Sequence, residues 1–406
     1  MKLFNFIKGF CFFNLNKSYS ILVIGPIGQD LLKSYFVKNY YYSSITYNIP
    51  INLSILPSAV FYFLRILILD QAFFFSKWKI IIYLCLLSAF IKKKKIKKII
   101  SFALYNNLPD FIQNVLKENI EIIKIQNGVG INNKPFLKSN TNFVYSNKDK
   151  IKNKKTFYMG NLRLLLHINS KKLWGTLKQN EFKTSNIVLI SSATIDVIKF
   201  IDDFFSKSRD EIFNLCKKHD TKNLKADEDW LELRSINFLI LCNYLNLYCK
   251  KNKKKCKILL RNNKNKNFLK IEKQFFKHLI ENCNFLSSKE EDKYNYIIKD
   301  KSSLFISDDT TFGHEAFSMN KKSLFFSWCL HDRPNFMEIS IKSKLYFIKD
   351  SYNKFEKKVN YLKQINYTTF LNQKNKLKKI IMVKPSLKEL NVFLKTSELK
   401  LKQKTL

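Results

Sequence analysis

Ser303–Trp328 reads SLFISDDTTFGHEAFSMNKKSLFFSW, a pattern of strand, polar loop, short helix and strand. Ser303–Ser307 is a short apolar run, Asp308–Thr311 supply turn and cap chemistry, and Gly313 permits close backbone approach. Lys321–Lys322 close the helix before Ser323–Trp328 continues as a strand. Such a unit turns the N–H groups at its helix start toward an anion, and a nucleotide diphosphate is the anion expected there. Glu315 follows Thr311 by four residues, one beyond capping-box spacing, so its carboxylate is expected to accept hydrogen bonds from a ribose. An ordinary turn in which Thr and Glu only cap the helix fits the same spacing.

Working outward, the first half alternates strands and helices. Expected are a strand at Tyr19–Ile24, a helix at Ile27–Phe36, a strand at Ser44–Asn48, and two apolar helices near Leu53–Phe75 and Lys77–Ile91. A strand at Ile96–Leu104, a helix at Pro109–Leu116, and strands at Ile120–Gln126, Phe143–Tyr145 and Thr156–Met159 follow. This alternation predicts a parallel sheet covered on both faces, with ligand loops at the carboxyl ends of its strands. Two such loops stand out: Gly25–Gly28, and the run Gln126, Asn127, Gly128 through Gly130. Neither is a GxGxxG fingerprint, and Gly25 and Gly28 serve a tight strand-to-helix turn equally well.

The polar stretch 169–186 reads as a linker between a first domain at 1–168 and a second at 187–384. The second domain restarts with a strand at Ile187–Ser191 and continues through a charged helical excursion at Asp210–Asp229 and a long helix at Leu231–Tyr248. A buried strand at Lys257–Arg261, a helix at Ile271–Glu281, a helix or turn at Tyr294–Ile298, and the opening unit complete it. A terminal helix is expected within 385–406. The fold class is therefore α/β, with two Rossmann-like domains facing a cleft. Arg261, directly after an apolar strand, can grip a phosphate by two parallel hydrogen bonds, or it can form a surface ion pair with Glu272.

Composition narrows the field less. The chain has 406 residues and a formal net charge of +40, from 72 Lys and Arg against 32 acids, which attracts any anionic partner without naming one. The eight cysteines include no CxxC pair and no zinc-ligand spacing, so they read as reduced and buried. Met1–Asn14 lacks a small-residue cleavage pattern, and Ile51–Ile91 is interrupted too often to span a bilayer. The protein is thus expected in the cytoplasm, with the two apolar helices and Lys92–Lys95 able either to touch an anionic membrane or to pack on a sheet.

In order, IISFALYNN (Ile99–Asn107), IKIQNG (Ile123–Gly128), FYMGNLR (Phe157–Arg163), ILLR (Ile258–Arg261) and SDDTTFGHEA (Ser307–Ala316) resemble the bacterial surface-carbohydrate biosynthesis proteins. That family looks like two-domain GT-B glycosyltransferases and is distantly similar to CDP-glycerol glycerophosphotransferases. The resemblance implies a nucleotide-sugar donor held by the second domain, a glycan or lipid-linked acceptor facing the first, and transfer without a metal or cofactor. It places Thr310, Thr311 and Gly313 on the phosphates, Glu315 on the ribose and Arg261 on the diphosphate, with Gly25, Gly28, Gln126, Asn127 and Gly128 on the acceptor side.

The family's relatives tend to carry histidine where this chain has Asn127, and a neutral amide cannot remove a proton. Asp110 and His314 are the other candidates, and the base stays unassigned. Asp308 and Asp309 are adjacent on an extended segment, so they point apart and read as turn-forming or lysine-paired acids rather than a metal pair. Two further readings compete: a catalytically silent member of the same fold, and a basic nucleic-acid-binding protein. The latter lacks a basic stripe or a recognisable DNA- or RNA-binding motif.

Overall fold

The computed structural model describes residues 10–14, 16–25, 28–45, 47–69, 78–102, 108–126, 140–145, 155–178, 184–201, 230–261, 265–286, 289–308, 310–327, 345–348, 351–376 and 382–402. Two units form, Met1–Lys171 with Ser386–Leu406, and Lys172–Pro385.

The first unit contains β1 (Phe10–Phe12), β2 (Ile21–Ile24), α1 (Gln29–Tyr35), β3 (Tyr40–Ser43), β4 (Ile49–Ile51), α2 (Leu56–Leu69), α3 (Trp78–Lys94) and β5 (Lys98–Ser101). It continues with α4 (Leu108–Leu116), β6 (Glu121–Ile125), β7 (Thr141–Val144), β8 (Lys155–Tyr158) and α5 (Leu162–Ser170). Six strands make one parallel sheet in the order β3-β2-β5-β6-β7-β8, and β1 pairs with β4 in a separate parallel ribbon. Counted within the large sheet this is 2-1-3-4-5-6, a doubly wound order that reverses between β2 and β5.

The sequence dictates this layering. ILVI in β2 is buried at every position, as a strand covered on both faces must be. In α3, Tyr83, Leu84, Leu87, Phe90 and Ile91 are buried with Leu22 and Ile99 of the sheet, and a helix apolar on nearly all sides belongs in a core. Lys92–Lys94 then sit at its carboxyl end, where cations oppose the helix dipole, and Lys95 at φ 53° stops it.

One expected strand is corrected. Ser44 and Tyr47 instead exchange backbone hydrogen bonds with each other at 2.8 and 3.2 Å, and Asn48 has φ 53°. The strand lies just upstream, where Tyr40–Tyr42 present large side chains to a pleated surface.

The second unit contains β9 (Asn186–Ile190), α6 (Ile195–Ile201), α7 (Trp230–Lys251), β10 (Cys256–Leu259), α8 (Lys266–Leu279), β11 (Cys283–Phe285), α9 (Glu290–Lys299) and β12 (Ser303–Asp308). It ends with α10 (Thr311–Ser318), β13 (Ser323–Ser327), β14 (Tyr346–Ile348), α11 (Tyr352–Gln364) and α12 (Tyr367–Asn375). Its parallel sheet runs β11-β10-β9-β12-β13-β14, which counted within the unit is 3-2-1-4-5-6, the Rossmann order. The switch point falls between β9 and β12. Cys256 opens β10, and Cys242, Cys249 and Cys256 are fully buried thiols in the core. The expected helical excursion at 210–229 lies outside the described residues.

The last helix, α13 (Leu387–Ser397), belongs to the first unit. Phe393 meets the rings of Phe36 and Phe143 at 6.4 and 5.3 Å. Lys98 donates to Thr396 O at 2.9 Å and pairs with Glu398 at 2.7 Å and Glu121 at 3.2 Å, fastening the helix end to β5 and β6. Within the stretch read as a linker, α5 ends at Ser170 and a 3-10 turn occupies Trp174–Lys178.

Candidate functional site

Open α/β sheets bind ligands outside the carboxyl ends of their strands at the switch point. In the second unit that edge is organised by Ser192, just past β9. Its carbonyl accepts hydrogen bonds from Arg261 Nη1 at 2.7 Å and Arg234 Nη2 at 3.2 Å. Its hydroxyl donates to Asp308 Oδ2 at 2.5 Å, and Arg234 Nε lies 3.9 Å from the same oxygen. Strands β10, β9 and β12 are thereby tied together at one end, with two guanidinium groups among the ties.

Arg261 remains an exposed residue. Its backbone is fixed separately, since its N–H donates to Glu272 Oε1 at 2.8 Å, and Ser191 Oγ donates to the same oxygen at 2.6 Å. Glu272 is fully buried and receives the backbone of Arg261, so the expected surface ion pair is corrected to a buried acceptor that holds the strand end. Lys293 of α9 adds a second brace: its ammonium donates to Leu260 O at 2.8 Å and Arg261 O at 3.0 Å, and lies 5.5 Å from the ring centroid of Phe312 in α10.

Helix α10 starts as its sequence requires. Thr310 is its N-cap, in extended conformation, with Oγ1 accepting from Gly313 N at 3.0 Å. The N–H groups of a helix's first turn have no intrahelical partner, so this end carries partial positive charge. Gly313 is buried where a Cβ would lie 2.2 Å from Ser307 Oγ and 3.0 Å from Ser307 Cβ, which is why the helix can settle against the end of β12. Replacing Gly313 with Ala is expected to cost about 1–3 kcal/mol, read by denaturant unfolding, with partial relief when Ser307 is also changed to Gly.

Glu315 does not stand where its spacing suggested. The cap is Thr310, so Glu315 falls five residues in, on a stretch where Gly313 through Ser318 are all buried, and it is only 2% exposed. The side chain named for a ribose is thus enclosed with its helix. His314 is likewise buried, its ring stacked on Phe325 with centroids 4.5 Å apart, and its backbone N–H continues the helix to Thr310 O. Asp308 faces Ser192 and Arg234, whereas Asp309 lies outside the described residues.

In the first unit the corresponding edge is built for packing as well as access. Gly25 (φ 130°) and Gly28 (φ 98°) occupy left-handed backbone conformations, and a Cβ at Gly28 would lie 2.5 Å from the ring of Phe102. Tyr42 OH donates to Gly25 O at 2.5 Å. Gln126 spends its side-chain oxygen on Tyr145 N at 2.6 Å and donates its own N–H to Phe143 O, joining β6 to β7. Asn127 and Gly128 lie outside the described residues. The FYMGNLR motif is a helix start: Gly160 sits at φ 73°, and Asn161 caps α5 by accepting from Arg163 N at 2.8 Å.

Asp110, in the first turn of α4, forms an ion pair with Lys124 of β6, whose side chain is wholly buried. The other carboxylate oxygen, Oδ1, is buried without a hydrogen-bond partner among the described residues. Burial, partly opposed by the carboxylate, holds the Lys124 pKa below that of an exposed lysine. Asp110 is therefore committed to a buried cation through one oxygen.

The sequence singled out Arg261, Thr310 and Gly313 but not Ser192, Arg234, Lys293 or the acceptor role of Glu272. The only local signal for Ser192 was its place in the polar loop SSATID after an apolar strand.

No protein-family model and no curated protein sequence matches the chain. Among solved structures it is similar to UDP-GlcNAc 2-epimerase from Neisseria meningitidis bound to UDP-GlcNAc, at 14% identity and TM-score 0.44 over 92% of this chain and 99% of that one. It is also similar to MurG from Acinetobacter baumannii, at 10% identity and TM-score 0.46 over 93% and 99%. A UDP-glucosyltransferase from Polygonum tinctorium shows 8% identity and TM-score 0.46 over 94% and 99%. The α/β assignment rests on the two strand orders, and residue roles come from the geometry of this chain alone.

Proposed function

We propose that the chain is a transferase that moves a sugar, or a polyol phosphate, from a nucleotide-activated donor to a cell-surface polysaccharide or lipid-linked precursor. The observation that carries this reading is the convergence on Ser192: Arg261 and Arg234 on its carbonyl, and Asp308, two residues before the cap of α10, on its hydroxyl. Two guanidinium groups beside a capped helix start at a Rossmann switch point suit a diphosphate.

In the proposed step an acceptor hydroxyl oxygen attacks the transferred carbon or phosphorus and its proton passes to solvent, while the bond to the nucleotide phosphate breaks and the electron pair leaves with the nucleotide. Arg261, Arg234 and the amides of α10 meet the charge that develops there. In this proposal the diphosphate rests on these groups without Glu315, and the acceptor faces the first unit.

The test mixes the full chain with UDP-, CDP- and GDP-linked sugars and polyol phosphates and follows nucleotide release in the presence of membrane lipid extract. Release from donors of one base supports the reading. Binding without release identifies a catalytically silent protein. No nucleotide affinity, together with tight, salt-sensitive binding of random DNA, replaces the proposal with a nucleic-acid-binding function.

A further inference from the structure

Helix α2 and the turn before it leave an apolar face uncovered. Leu53, Leu56, Val60, Phe61 and Leu64 follow one another at helical spacing and expose 37–81% of their surfaces. The opposite face, Ala59, Tyr62 and Ile66, is buried in the first unit's core. The only polar residues sharing the exposed side over 53–64 are Ser54 and Ser58, and no charged residue occurs between Lys38 and Arg65. Isolated exposed apolar side chains are ordinary, but four in register on one helix, with Leu53 in the turn before it, mark an interaction surface.

The borders of this face carry positive charge. Phe12 of β1, 81% exposed, is paired with Ile51, two residues before Leu53. Lys94 donates to Asn14 O at 2.9 Å and Lys17 O at 2.8 Å, which sets the carboxyl end of α3, with exposed Lys92, Lys93 and Lys95, beside the same ribbon. Trp78, half-exposed at the other end of α3, has Lys79 Nζ 5.3 Å from its ring centroid. Across residues 31–109 the sole acid is Asp70, against eleven Lys and Arg. Glu118 is within electrostatic reach of Tyr62, which belongs to the buried side of α2.

We infer that the α2 face docks on an anionic lipid bilayer. An apolar stripe edged by lysines and a tryptophan suits the boundary between acyl chains and headgroups. The charge complementarity singles out an anionic lipid surface, because a second copy of this chain would bring the same cations against themselves. At 14 residues α2 is about 21 Å long, too short to cross a hydrocarbon core of about 30 Å, so it lies on the membrane rather than spanning it. Among the described residues no helix is long and apolar enough to cross. The inference is independent of the donor-site reading.

The experiment is cosedimentation of the full chain with vesicles of phosphatidylcholine, with and without phosphatidylglycerol, alongside size-exclusion chromatography with light scattering. Expected are binding to the phosphatidylglycerol vesicles that weakens with salt, and a loss of about tenfold or more in a Val60→Ser, Phe61→Ser, Leu64→Ser variant whose melting temperature is unchanged. A Lys92→Gln, Lys93→Gln variant should weaken binding mainly at low salt. Equal binding by wild type and triple variant, or no binding to either vesicle, overturns the inference. So does a wild-type dimer that the triple variant converts to monomer without changing vesicle binding, which would assign the face to a second copy.

Discussion

Arg261→Ala is expected to weaken binding of the preferred nucleotide diphosphate by about 10- to 100-fold, the value of a charge-assisted hydrogen-bond pair. The residue is exposed and its backbone is fixed independently by Glu272 and Lys293, so the strand end should keep its shape when the side chain is removed. Among the described residues the side chain gives up one bond, to Ser192 O, worth about 0.5–1.5 kcal/mol. Arg261→Lys should recover part of the affinity, because it keeps the charge but not the planar fork. A variant that loses stability and keeps its affinity would make Arg261 a structural tie.

The largest stability effect is expected in the first unit. Asp110→Ala leaves Lys124 wholly buried without its carboxylate and should destabilise the unit by about 3–5 kcal/mol. Lys124→Met paired with Asp110→Leu should be close to neutral, since an apolar pair of similar volume avoids the desolvation that both charges bear. The pH dependence has a definite sign. Burial depresses the Lys124 pKa in the folded state, so between that value and the ordinary lysine value near about 10.4 the unfolded chain holds more protons. The stability of wild type relative to Lys124→Met should therefore rise with pH across that window. Two units need not unfold together, so hydrogen exchange of peptides covering β5 and β6 is the appropriate reading. An Asp110→Ala protein with unchanged protection there would contradict the assignment.

Much of the architecture was legible because the buried strands are short and mostly apolar. ILVI, EIIKI, NIVLI and CKIL each announce themselves, and the helices between them fix the parallel connection. The three-residue strands β11 and β14 were not legible, since CNF and YFI are too short to show a period. β3 was displaced because the aromatic run Tyr40–Tyr42 looks like a connector until it is seen buried beside β2.

At the site the same division holds. Thr310 and Gly313 lie within one strand-turn-helix unit, so local spacing revealed the cap and the close approach. Ser192 is 116 residues from Asp308 and 42 from Arg234, and nothing local indicates that strand order will bring them together. The burial of Glu315 was not legible for a related reason: spacing gives its distance from a cap but not how deeply α10 is packed.

The account depends on a diphosphate resting on the start of α10. A crystal soaked with UDP, CDP and GDP together tests this most directly. One base is expected, with its diphosphate at the start of α10 and within reach of the Arg261 guanidinium. A nucleotide bound away from that helix start, or no nucleotide bound at all, would contradict it.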